Sequence, residues 1–193
     1  MKRRRAVLLV GLAVLFASCG IPISSGPSTV PRHRVPFALL SPSIPTSTTT
    51  TQPTATYAQE QIYLFSAQGF AVALNRDVLV PATLQSVLSA LLAGPTSTEV
   101  AVGITSALPP QGKILDVIQV GSLATINLNA AFASISSAKE TQAIGQLVLT
   151  ATAQQNVTAV LFEIKGKAIS VPVSGGAVTG LPVSAGEYQS LLG

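Results

Sequence analysis

Between Gly20 and Thr56, 21 of 37 residues are Pro, Ser or Thr, and this stretch limits what the chain can fold into more than any other feature. Such a segment has too little apolar surface to offset the entropy of ordering it, so it reads as a disordered spacer. As a loose coil it would reach roughly 35 Å, and at most about 120 Å fully extended. Everything able to build a core therefore lies from Tyr57 onward, which is room for one domain of ordinary size.

What precedes the spacer reads as an export signal. Lys2, Arg3, Arg4 and Arg5 form a positive start, and Ala6 to Phe16 is an unbroken apolar run of 11 residues. That length suits a signal peptide and is too short to cross about 30 Å of hydrocarbon as a helix. Small residues, Ala17 and Ser18, stand before Cys19, the only cysteine in the chain. Leu15-Phe16-Ala17-Ser18-Cys19 resembles a bacterial lipobox, although Phe16 departs from the usual Leu. The resemblance implies cleavage before Cys19 and a diacylglyceryl anchor on its thiol. Two acyl chains, at about 0.8 kcal/mol per buried CH₂, hold a soluble domain stably on a membrane. The expected organisation is a lipoprotein signal over 1–18, a lipidated Cys19 with its tether over 19–56, and a domain over 57–193.

Charge excludes one partner class. The whole chain carries 11 basic and seven acidic residues, but four of the basic ones are in the signal. From Tyr57 onward five Lys and Arg face all seven acids. A domain of that balance has no cationic surplus for phosphates, so no nucleic acid is expected as partner.

Strands are expected at Gln61–Phe65, Phe70–Leu74 and Val78–Val80. Behind Pro81 and a capping Thr83, Leu84, Val87, Leu88, Leu91 and Leu92 make the stripe of a helix, which Gly94 and Pro95 end. Ile114–Val120 and Leu123–Leu128 read as a hairpin across Gly121-Ser122, and Asn129 as the cap of a short turn through Phe132. A longer helix is expected over Ser137–Gln154, with a capping box from Ser137 to Glu140 and a stripe of Ile144, Leu147, Val148 and Ala151. Its Gly145 costs about 1 kcal/mol relative to Ala unless a close contact requires it. Thr158–Ile164 alternates as a strand, Lys165-Gly166 turns it back into Lys167–Val171, and Ala185–Leu192 closes the chain as a short helix. The fold class is α+β: a small antiparallel or mixed sheet with two main helices on one face.

The inventory for catalysis is thin. The domain has no Cys and no His; the chain's one histidine, His33, lies in the spacer. Cys–His, Ser–His and thiolate–zinc sites are thereby excluded. Its acids, from Glu60 and Asp77 to Glu163 and Glu187, show no metal-loop spacing, so no metal and no cofactor are expected. Ser136-Ser137-Ala138-Lys139 satisfies a Ser-x-x-Lys pattern but lacks its Ser-Asp-Asn and Lys-Thr-Gly companions, and helix capping accounts for the serines. Asn156-Val157-Thr158 is a chance glycosylation match in a chain with a bacterial signal.

From Gln61 onward the chain resembles a GerMN domain, the module named from the spore-germination protein GerM. The resemblance rests on Ile62-Tyr63-Leu64-Phe65, Leu91-Leu92-Ala93-Gly94-Pro95-Thr96, Glu99, Gly103, Ser106-Ala107-Leu108-Pro109 and Gly112. It continues through Asp116-Val117, Thr125-Ile126-Asn127-Leu128 and Ala131-Phe132 to Pro182-Val183 and Glu187-Tyr188. Two departures are the extra residue in Pro109-Pro110-Gln111-Gly112, and Asn127 where the family often has Asp. The resemblance implies a binding module of sporulation, germination and actinobacterial envelope lipoproteins, without catalytic residues. Gly94, Pro95, Thr96, Glu99, Gly103, Pro109 and Gly112 carry its signature, as shapers of turns or as a face toward a partner. The leading expectation is a non-enzymatic interaction module for an envelope protein, linked to sporulation, germination or envelope signalling. The alternative is a small-ligand or wall-glycan binder, poorly supplied with stacking surface by three tyrosines and no tryptophan. A hydrolase ranks last.

Overall fold

The computed structural model describes residues 55–193. The expected export signal, Cys19 and nearly all of the expected spacer lie outside the described residues.

The domain opens with a long antiparallel hairpin, β1 (Tyr57–Phe65) and β2 (Ala71–Leu79), in register from Tyr57–Leu79 to Phe65–Ala71. β1 thus starts four residues before the expected Gln61, and the two short strands expected after it are one. The polar Asn75-Arg76-Asp77 does not interrupt β2, because each residue has an outlet. Asn75 and Asp77 are exposed, and Arg76 finds a carboxylate. Helix α1 (Leu84–Leu92) follows as expected, with Val87, Leu88 and Leu91 buried. Thr83 caps it by accepting from the Ser86 N–H. A short helix, α2 (Ser97–Ala101), was not foreseen.

β3 (Ile114–Val120) and β4 (Leu123–Leu128) form the expected hairpin, and Gly121 takes φ 61 at the first turn position, as a type II′ turn requires. A 3-10 turn spans Ala130–Ser134, and α3 (Ser137–Thr152) then returns the chain so that β5 (Ala159–Ile164) lies parallel to β4. Parallel neighbours need such a crossover. Lys165 and Gly166, at φ 51 and 73, turn into β6 (Lys167–Ala168), completing a mixed four-stranded sheet in the order β3-β4-β5-β6. β7 (Val171–Pro172) pairs separately with β8 (Val178–Thr179), and a 3-10 helix, Ala185–Leu191, ends the fold.

The domain is α+β, but it is not one sheet with two helices on a single face. Every residue from Ala143 to Ala151 of α3 is buried, two and a half turns with no exposed side. β1, β5, β7 and the terminal 3-10 helix all pack against it. Two hydrogen bonds tie it to β1: the Tyr63 N–H donates to Thr150 Oγ1 at 3.0 Å, and Gln154 Nε2 donates to the Gln61 carbonyl at 2.9 Å. A stripe of apolar residues gave no sign of this enclosure, because Gly145, Gln146 and Thr150 interrupt it.

Two expected caps are not made. Ser136, not Ser137, stands at the N-cap of α3, and no side chain closes a box there; Ser137 is already the first helical residue. Asn129 precedes the 3-10 turn but makes no side-chain cap bond. Its Nδ2 donates to the Gln111 carbonyl at 2.8 Å and its Oδ1 accepts from the Lys113 N–H at 3.2 Å. The amide therefore pins the loop before β3 to the end of β4.

Candidate functional site

The signature residues cluster between α1 and β3. Gly94 follows the end of α1 at φ 76, the left-handed conformation that lets the chain turn out of the helix. Pro95 blocks continuation, and Thr96 starts α2. Thr96 Oγ1 accepts from the Glu99 N–H, while Glu99 accepts from the Thr96 N–H at 2.7 Å, a reciprocal capping box.

Glu99 also holds Arg76 of β2 in a bidentate pair, at 2.7 Å through Oε1 and 2.5 Å through Oε2. The same guanidinium donates to the Gly94 carbonyl at 3.4 Å. The carboxyl of Glu99 is lowered from the ordinary 4.5 to about 2, chiefly by the Arg76 side-chain hydrogen bond. One arginine thus fixes the loop 94–99 to the first hairpin.

Behind α2, Gly103 sits at φ 85, and a Cβ there would lie 2.8 Å from Ala67 Cβ. Thr105 then bridges to Phe65 through paired backbone bonds of 2.9 and 2.8 Å. The buried Gln146 of α3 supports the next turn: its Oε1 accepts from the Ala107 N–H at 3.0 Å and its Nε2 donates to Ser106 Oγ at 3.2 Å. Gly112 closes a turn by donating its N–H to the Pro109 carbonyl at 2.8 Å. A side chain on Gly112 would meet Phe132 Cε2 at 2.9 Å.

These constraints enclose an open apolar groove of about 510 Å³. Leu92, Ile104 and Leu108 line it with Pro95, Pro109 and Val100, whose side chain is 56% exposed. Gly94, Pro95 and Pro109 contribute directly to its wall. Thr96 and Glu99 brace it, while Gly103 and Gly112 permit close backbone packing without lining it. Neither the Arg76–Glu99 pair nor the Gln146 support is foreseen from sequence. Thr96-x-x-Glu99 carries a readable capping signal, as does Ser184-x-x-Glu187, where the Ser184 hydroxyl and N–H both donate to Glu187 and hold its carboxyl below the usual range.

Two further residues of the resemblance have structural partners. Asn127 Oδ1 accepts from the Gly166 N–H at 3.0 Å, holding the β5–β6 turn. Tyr188 is fully buried, donates to the Pro172 carbonyl at 2.8 Å, and has its phenol pushed up by burial. Among the described residues there is no cluster of three metal-ligating side chains, and no helix is long and apolar enough to cross a membrane.

Fold and site together define a small α+β domain with a braced apolar groove. The chain is a member of the Germane family, described as sporulation and spore germination, which matches residues 61–170. That membership makes the domain a non-catalytic module. The tandem GerMN domains of the sporulation protein GerM from Bacillus subtilis share the fold, with a TM-score of 0.55 and 18% identity over 72% of this chain and 48% of that one. The first GerMN domain of the same protein gives a TM-score of 0.53 and 18% identity over 66% of this chain and 97% of that structure. This chain spans about half the length of the tandem structure, at 48% of it. No curated protein matches it.

Proposed function

We propose that this protein is a membrane-anchored lipoprotein whose GerMN domain, residues 57–193, binds an envelope protein outside the cytoplasmic membrane. Cys19 carries the diacylglyceryl anchor, and residues 19–56 form the tether. The observation that carries the binding role is the groove: the segment richest in family signature residues forms its wall and braces it. Four elements of order hold an apolar surface open to solvent there, namely two left-handed glycines, one capping box and one bidentate ion pair. The occupant that fits is an apolar segment of a protein, because the lining offers few polar groups to orient a small hydrophilic ligand. Wall-glycan binding has weaker support, since the chain has no tryptophan, Tyr188 is buried, and among the three tyrosines only Tyr57, 58% exposed, presents a largely open ring. Sporulation or germination is the process that the family's description favours.

Crosslinking in intact cells, with the captured partner identified, tests this reading alongside a Cys19→Ser variant. The expected result is one envelope protein, lost or weakened when Cys19 is replaced. Membrane retention of Cys19→Ser together with an undiminished adduct would overturn the anchor, and turnover of an envelope substrate by the purified protein would overturn the non-enzymatic role.

A further inference from the structure

We propose that a second cleft, separate from the apolar groove and independent of it, binds an alkylammonium group through Glu60, Gln119 and Gln154. The cleft holds about 470 Å³ between β1, the start of α1, β3 and the end of α3. Leu84, Val87 and Val157 supply its apolar surface.

Glu60 is the anomaly that draws attention to it. Along β1 the inward positions run Ala58, Glu60, Ile62, Leu64, so a carboxylate occupies the core-facing side of the strand at its mouth. Its cross-strand partner is Arg76, yet both terminal nitrogens of Arg76 bind Glu99. Arg76–Glu99 is the only ion pair among the described residues, and no Lys or Arg lines the cleft. Glu60 thus brings an uncompensated negative charge to a half-buried position.

Two amides extend the acceptor set. Gln154 Nε2 donates to the carbonyls of Gln61 and Thr150, at 2.9 and 3.1 Å. Gln119 Nε2 donates to the carbonyls of Gly121 and Asn156, at 3.2 and 3.1 Å. A carbonyl can only accept, so these bonds fix both amides with nitrogen on the backbone and leave each Oε1 free to accept from elsewhere. All three groups line the one cleft. Gln154 is joined to the residue next to Glu60, and Gln119 to the residue two beyond Gln154. The Thr83 hydroxyl is already engaged, accepting from the Ser86 N–H and donating to Ser86 Oγ; Gln119 and Gln155 are both exposed, and of the two Gln119 is the one held in place by backbone carbonyls.

Three oxygen acceptors, one of them charged, beside an apolar surface match an ammonium with three N–H donors on a methylene stem. A lysine side chain on a polypeptide and a free diamine share that chemistry.

The test is an NMR titration of the purified full-length protein in detergent micelles, reading the side-chain amide resonances of Gln119 and Gln154. The probes are the peptide acetyl-Gly-Lys-Gly-amide, its Nε-acetyl-lysine counterpart, and cadaverine. Saturable shifts with the lysine peptide identify a side-chain site, and with cadaverine alone a free-amine site; either supports the proposal. Acetylation of the lysine, and Glu60→Gln in the protein, should each weaken binding about tenfold, as loss of a charge-assisted bond requires. Gln119→Met, which leaves Glu60 in place, should weaken it severalfold. Equal binding of the acetylated peptide, full affinity in Glu60→Gln with an otherwise unchanged spectrum, or no saturable shift with either amine would overturn it.

Discussion

Gly145 illustrates how a residue that weakens a helix in isolation is required by what packs on it. A Cβ at this position would stand 2.8 Å from Tyr188 Cδ1 and closer still to Leu191 Cδ1. Gly145→Ala gains about 1 kcal/mol of helix propensity. Overpacking a filled core costs about 1–3 kcal/mol, and the fully buried Tyr188 ring has no room to retreat, which places the cost in the upper part of that range; the net effect is destabilising, and a lowered denaturation midpoint checks it. Glu99 makes the second prediction at this scale. Its carboxyl is lowered from 4.5 to about 2, so the stability it contributes is present above pH 4.5 and is lost as pH falls toward 2. The pair is partly exposed, at 16% and 19%, and solvent screening limits the effect to about 1–2 kcal/mol. Glu99→Gln should therefore lower stability at pH 7 and flatten the acid limb of the stability profile between pH 5 and 2, which denaturant titrations at a series of pH values would reveal.

Among the elements, caps and turns were legible in the sequence where the signal was local and self-contained. Thr83, Gly94, Pro95 and Gly121-Ser122 act where their residue types place them, because each solves a problem of a few neighbouring backbone groups. Ser137-x-x-Glu140 matches a capping box but does not form one, whereas Thr96-x-x-Glu99 and Ser184-x-x-Glu187 do. The pattern alone does not say which serine or threonine has non-helical backbone. Asn129 and Gln146 were hidden for another reason: their partners lie 16 to 18 and 39 to 40 residues away, beyond any local pattern. The same distinction separates two glycines of the groove segment. Gly94 is left-handed with nothing near its absent Cβ, so Gly94→Ala costs only backbone strain, about 1 kcal/mol. Gly103 is left-handed and also abuts Ala67, so Gly103→Ala should be the more destabilising by about 1 kcal/mol or more. Thermal melts of the two variants side by side check the order.

At the scale of the molecule, the class and family were readable because the Leu91–Thr96 signature and its ordered companions span most of the domain, and residues 61–170 match the family. The layering was not readable. α3 is enclosed rather than laid on one face, since the first hairpin covers it and is held there by Thr150 and Gln154, polar residues that a search for apolar stripes passes over. The groove was equally hidden, because Leu92 is well separated in sequence from Ile104 and Leu108, and the three meet across loops that Arg76 and Gln146 hold through long-range contacts. That groove is the proposed seat of the envelope partner. Its most direct test puts a photo-crosslinking residue at Val100 or Pro110, on the groove, and at Val178 of β8, which is 66% exposed, in cells carrying the intact chain. One discrete adduct, with the same envelope protein, is expected from both groove positions and none from Val178. Adducts of equal yield from all three positions, or none from the groove, would contradict it.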